Sequence, residues 1–298
     1  MKILNCLLLL VSCCTASAKF TQPAHVAFHK KPMTIPSSLP SIQRGGAVSV
    51  VAPSVGVAAA KLGGSVLLIQ GISATLAPLS NVEIYSPSNN NPTNIKIMRR
   101  IGTAILSMAL PVFGLIFKNY SLNTVLGFSN IPWMVESLTS LLNNESEFLG
   151  PSKAGDAVIL ALTSASFISG LNDLNWAKRA AKAASIFGTL SGLGCLFAPK
   201  KSLEIWECKD TDDLSPAYTE ALGANLVIEG FFCWNLASGM DPLTIWAYTG
   251  LVAFGVNLKT YLFADEVAKK EGKKVLKSFW LGFSLILGGI GLLTNKEE

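Results

Sequence analysis

Two stretches of this chain, FAPKKSLEIW at 197–206 and LAPLSNVEIY at 76–85, share the frame Ala-Pro-x-x-x-[Val/Leu]-Glu-Ile-[Tyr/Trp] at an offset of 121 positions. Proline cannot continue a helix comfortably, and an amphipathic aromatic favours the headgroup layer of a bilayer. The repeated stretch therefore predicts one interfacial elbow used twice, built on Pro78 and Glu83 in the first copy and on Pro199 and Glu204 in the second. The two glutamates also form a candidate paired binding or protonation site. Without a gap, the same offset sets Gly71 on Gly192, Gly102 on Gly223, Leu122 on Leu243 and Gly170-Leu171 on Gly291-Leu292.

Composition says what lies between the elbows. Half of the residues are apolar, 14% are charged and the mean hydropathy is +0.44, whereas soluble domains carry about a quarter charged residues. A membrane protein follows. Hydropathy marks spans at 101–117, 156–172, 217–237, 243–263 and 276–293, each near the roughly 20 residues a crossing needs. Weaker segments at 62–78, 122–142 (interrupted by Pro132 and Glu136) and 183–199 are raised to spans by the offset. The expectation is an all-α polytopic protein of two tandem four-helix units, eight spans in all. An even number of spans per unit gives both halves the same orientation.

Lys96, Arg99, Arg100, Lys153, Lys200, Lys201, Lys209 and five lysines between 269 and 277 gather on the side of the elbows. The other side holds Lys118, Lys178, Arg179, Lys182 and Lys296, with Lys61 near it. The positive-inside rule then puts the elbows in the cytosol or stroma. Small residues at Ala180, Ala184, Gly188, Ser191, Gly192 and Cys195 predict a packing seam along the fifth span.

The amino terminus reads as targeting sequence. MKILNCLLLLVSCCTASA (1–18) has a basic start, a short apolar run and a small-x-small end, as a signal peptide does. Residues 19–60 contain no Asp or Glu and are rich in Ser, Thr, Pro and basic residues. That order resembles the bipartite leader of plastid proteins in algae with secondary plastids, whose cut falls in Ala-Ser-Ala-Phe; here Lys19 stands between Ala18 and Phe20. The alternative is a secretory signal followed by a disordered basic tail. The first membrane unit is expected over 61–175 and the second over 176–298.

Much chemistry is excluded. Both histidines, His25 and His29, lie in the leader, which removes Ser-His-Asp, Cys-His, H-E-x-x-H and histidine-haem sites from the remainder. Cys195, Cys208 and Cys233 form no CxxC and read as packing residues. There is no P-loop or G-x-G-x-x-G, and a net charge of +5 spread along the chain gives no nucleic-acid footprint. No cofactor, metal or catalytic residue is expected, and the expected partners are the lipid bilayer and other membrane proteins.

Glu229, near the middle of the span 217–237, is the polar residue that stands out. A carboxylate at that depth is protonated, paired or facing a wet cavity. Asn225, one turn earlier, and Asn257 in the next span complete a candidate intramembrane site. Hairpin geometry supplies two candidate ion pairs. Glu220 and Lys259 lie nearly equidistant from the turn at 238–242, and Arg100 and Glu136 nearly so from the turn near 119.

A four-span unit with a proline-ended first helix and a second helix reading EALGANLVIEG (220–230) resembles the small DoxX-type and related uncharacterised four-helix membrane families. That resemblance implies a helical bundle and no catalytic residue. Three functions follow from these features. One is a non-enzymatic protein that organises partners or assembly in its membrane. Another is a small-solute or proton-coupled transporter with its site between the halves near Glu229, and a third is a membrane enzyme restricted to carboxylate, Lys, Ser or Cys chemistry. A transporter needs a polar cavity where the halves meet; an organiser would be packed dry there.

Overall fold

The computed structural model describes residues 53–86, 90–117, 120–143, 153–262, 280 and 282–290. The signal-peptide reading and residues 19–52 of the leader fall outside them, as do the loop from 264 to 275 and Gly291-Leu292. The described residues are helical, without a strand. The helices are α1 (Pro53–Leu76), α2 (Pro78–Tyr85), α3 (Pro92–Val112), α4 (Leu122–Ser129), α5 (Ile131–Leu142), α6 (Lys153–Leu171), α7 (Trp176–Phe197), α8 (Pro199–Ile205), α9 (Ser215–Ala237), α10 (Pro242–Leu262) and α11 (282–290). Among the described residues, four stretches are long and apolar enough to cross a membrane: Val55–Leu76, Pro92–Ile116, Ala154–Leu171 and Trp176–Phe197. Exposed Leu62, Ile69, Leu190 and Phe197 leave an apolar outer surface on α1 and α7, as lipid contact requires.

Three segments depart from the sequence expectation. α1 starts at Pro53, so residues 53–60, read as the end of the leader, are already helical. The segment 122–142 is two helices: Asn130 breaks it, with Pro132 in the first turn of α5, where a missing N–H removes no helical bond. α3 carries Pro111 inside and runs directly into a π-helical turn at Phe113–Phe117.

The elbows share their geometry. α1 stops at Leu76 and α7 at Phe197; Ala77 (φ −130, ψ 58) and Ala198 (φ −138, ψ 58) turn the chain, and Pro78 and Pro199 begin α2 and α8. The same bonds bridge each turn, from Ala77 N to Ser73 O and Asn81 N to Ala77 O, and from Ala198 N to Gly194 O and Ser202 N to Ala198 O. The entry to the next helix is held by a side chain at the equivalent position, which is the N-cap of α3 in the first copy and stands three residues before α9 in the second. Asn91 Oδ1 accepts from the backbone N–H of Thr93 and Asn94, and Asp212 Oδ1 accepts from that of Leu214 and Ser215. Each side chain satisfies backbone donors at a helix entry, and the Asn91 cap stabilises α3 by about 1 kcal/mol.

Glycines set the helix spacing. A Cβ at Gly102 would sit 2.6 Å from Thr75 N, and one at Gly223 would sit 2.5 Å from Leu196 N. α3 and α9 therefore lie backbone to backbone on α1 and α7. Gly192 and Cys195 of the small-residue stripe lie in the second of these seams, whereas Gly188 meets nothing within 4 Å.

Candidate functional site

Between α1, α3, α9, α10 and α11 lies a cavity of about 760 Å³. It extends along α10 from Trp246 to Tyr261, fifteen residues or about 22 Å of helical rise. Its mouth is at the elbows, where Tyr85, Pro199, Lys200 and Lys201 line it. Its walls are apolar, with Leu67 on α1, Ile101, Ile105 and Met108 on α3, Ile228 on α9 and Leu287 on α11. The volume falls in the roughly 300–1,000 Å³ range of small-molecule sites.

Most polar groups along the upper part hold partners within the protein. Lys259 Nζ donates to Glu220 Oε1 at 2.6 Å and to the Leu196 carbonyl at 2.8 Å. Asn225 Nδ2 donates to Ala221 O at 2.9 Å, and Asn257 Nδ2 to Ser284 Oγ at 3.2 Å. Gln70 Nε2 reaches Asn81 Oδ1 at 3.3 Å, and Trp280 Nε1 donates to Tyr85 Oη at 3.0 Å. Burial raises the Tyr85 phenol above its ordinary range, against the lowering effect of that bond, so it stays protonated at neutral pH.

Glu229 is elsewhere. Although it stands one turn from Asn225, it is not among the described residues that line the cavity. It is buried in the core, where Trp133 Nε1 donates to its Oε1 at 2.7 Å. Ser107 lies beside the carboxyl, outside hydrogen-bond geometry. The sequence grouping of Glu229 with Asn225 and Asn257 thus divides: the asparagines face the cavity, and the glutamic acid joins α9 to α5.

The candidate ion pairs come together with additions. Arg100 Nε lies 3.6 Å from Glu136 Oε1, but Glu136 is held more closely by Arg99, at 2.8 and 3.0 Å. Arg100 instead directs a nitrogen at both oxygens of Asp156, at 3.1 and 3.2 Å, and Ser140 Oγ donates to Asp156 at 2.7 Å. Two cations and two anions close a buried cluster joining α3, α5 and α6. Hairpin geometry carried one helix further would have found Asp156 beside Ser140, since the two are nearly equidistant in sequence from the midpoint between positions 143 and 152. Glu83 and Glu204 are both exposed on the elbows. The free thiols Cys195 and Cys233 are buried, and Cys208 is half-buried.

No group of His, Cys, Asp and Glu among the described residues is arranged to hold a metal ion. No protein-family model, curated protein or solved structure matches the chain.

Proposed function

We propose that this is an eight-span integral membrane protein made of two tandem four-helix units, and that it binds an apolar small molecule, without catalysis, in the cavity where the units meet. The duplication is supported by coincidences at one offset. Elbow residues Ala77 and Ala198, helix-entry residues Asn91 and Asp212, whose side chains accept from the next backbone N–H groups, and glycine seats Gly102 and Gly223 are each separated by 121 positions. Independent close-packing solutions would not be expected to fall on a single spacing in three kinds of local structure. α9, α10 and the α4–α5 pair then occupy the positions of spans, although α9 carries Glu220 and Glu229. Glu220 is accommodated by its pair with Lys259 and Glu229 by a buried donor, as intramembrane polar groups must be.

The observation that carries the binding function is the cavity itself. A protein that only organised partners would close this seam, because a void between helices forfeits packing contacts. A carrier of hydrated ions would line it throughout with polar groups and charge, whereas these walls are mainly apolar and the charged side chains, Lys200, Lys201, Glu220 and Lys259, stand towards the mouth. Ala253 lines the cavity on α10; Ala253→Trp should fill it. Native mass spectrometry of the protein in nanodiscs is expected to show a retained apolar molecule that the variant lacks. Identical lipid complements in both would remove the binding function. A bipartite leader would take this protein to a plastid membrane and a secretory signal to the endomembrane system; fluorescence microscopy of a tagged full chain separates the two routes.

A further inference from the structure

The far end of the cavity differs from its mouth in one respect. Trp246 and Thr249, one turn apart on α10, line it and are 5% and 6% exposed, yet Trp246 Nε1 and Thr249 Oγ1 have no hydrogen-bond partner. Buried donors are ordinarily satisfied, and one left open carries its full desolvation penalty. Thr249 does not even take the common bond to the carbonyl one turn back, which Thr163, Thr219 and Thr260 take. The indole is also held in place. Its Cζ2 would lie 2.9 Å from a Cβ at Gly63, and Phe232 meets it edge-on with ring centroids 6.1 Å apart. Trp246 is thus packed against Gly63 and Phe232 while its one polar atom is unused.

We infer that Trp246 and Thr249 bind a neutral carbonyl oxygen at the buried end of an elongated apolar guest. This inference rests on the proposal that the cavity is a ligand site. An indole N–H can only donate, so the guest must present an acceptor there. The acceptor is uncharged, because the charges lining the cavity are at its other end, where Lys259 is already paired with Glu220, and an ionised group would be buried among aliphatic side chains without a counter-charge. A cavity about 22 Å long, by helical rise along α10, favours a chain-like molecule lying along the helix, its carbonyl at Trp246 and its other end at the elbows. A quinone with an isoprenoid tail and a fatty ester both carry this chemistry.

The test uses the full chain in nanodiscs, with a prenylated benzoquinone, a long-chain methyl ester and a hydrocarbon of matching length as probes. Each is partitioned between protein-bearing and empty discs and quantified by mass spectrometry. At least one carbonyl probe is expected to bind roughly tenfold or more above the hydrocarbon, as one or two hydrogen bonds would give. Thr249→Val, which keeps the shape, is expected to reduce that preference. The carbonyl probe that is preferred identifies the quinone or the ester as the source. A ¹³C-labelled carbonyl should also show its stretching band moved to lower frequency when bound to the unaltered protein, a readout that does not depend on how the variant folds. Equal binding of carbonyl probes and hydrocarbon, with no band shift, would overturn the inference and leave the apolar site standing. No binding of any probe to protein with an intact unfolding transition would overturn both.

Discussion

Lys259 and Glu220 lie 2.6 Å apart on neighbouring helices, with the lysine also bonded to the last carbonyls of α7 through Leu196 at 2.8 Å. The pair closes the α9–α10 hairpin at the cavity mouth. Breaking a buried pair from one side can cost roughly 3–5 kcal/mol, but 29% of the lysine side chain is exposed, and water screens what remains. A double-mutant cycle with Glu220→Gln and Lys259→Met should therefore give a coupling of about 0.5–3 kcal/mol, read from unfolding in detergent. Coupling near zero would mean that the lysine reaches the interface by itself and owes nothing to the glutamate.

The glycine seats predict equal behaviour in both halves. Gly102→Ala and Gly223→Ala each place a methyl group against backbone atoms, at 2.6 and 2.5 Å, so the helices must separate at a cost of about 1–3 kcal/mol. Gly255→Ala is the control, because it faces open space and alanine favours a helix over glycine by about 1 kcal/mol. The expected ranking of unfolding temperatures is Gly255→Ala at or above the parent and the other two below it. Loss at Gly223 alone would contradict equivalence of the seams.

For Glu229 the relevant partner is Trp133, whose N–H it accepts at 2.7 Å. Glu229→Gln can keep an acceptor oxygen there and should change stability by less than about 1 kcal/mol, whereas Trp133→Phe or Glu229→Ala breaks the bond and should cost about 1–3 kcal/mol or more. Ligand retention by the Gln variant should match the parent, since Glu229 does not line the cavity. A Gln variant that folds normally but loses the ligand would move the binding site to Glu229.

Cys208 follows α8, outside the spans, and burial pushes its thiol up to about 11, with Arg100 opposing weakly. The thiolate is the reactive form, so at pH 8 its fraction is on the order of 0.1%, roughly a hundredfold below that of a thiol with the ordinary value of 9.0. Maleimide labelling of Cys208 should be slow and should quicken about tenfold per pH unit until the pH approaches that value. Fast labelling at pH 7 would show an open, exposed thiol.

The elbows and ion pairs were legible because they depend on local rules: proline at a helix start, and antiparallel neighbours equidistant from a turn. Arg99 was missed through its adjacency to Arg100, as a one-residue choice around a helix is decided by packing that no spacing rule contains. The Glu229 environment was legible only as a cost. Which of two residues one turn apart faces a cavity depends on helix rotation, and Trp133, 96 positions away, gave no signal that it would be the partner. The cavity had no sequence signature, because Trp246, Thr249 and Leu287 come from helices whose apolar positions read alike whether they meet lipid, protein or a guest.

The count of crossings is the proposal on which the two equivalent units and their common orientation depend. Single cysteines at Lys201, Leu174 and Met240 in a background lacking Cys208 can be labelled in sealed vesicles with a membrane-impermeant maleimide. With eight spans, Leu174→Cys and Met240→Cys react from one side and Lys201→Cys from the other. If only the four stretches Val55–Leu76, Pro92–Ile116, Ala154–Leu171 and Trp176–Phe197 cross, α9 and α10 do not, and Met240→Cys will react from the same side as Lys201→Cys, which would contradict the account.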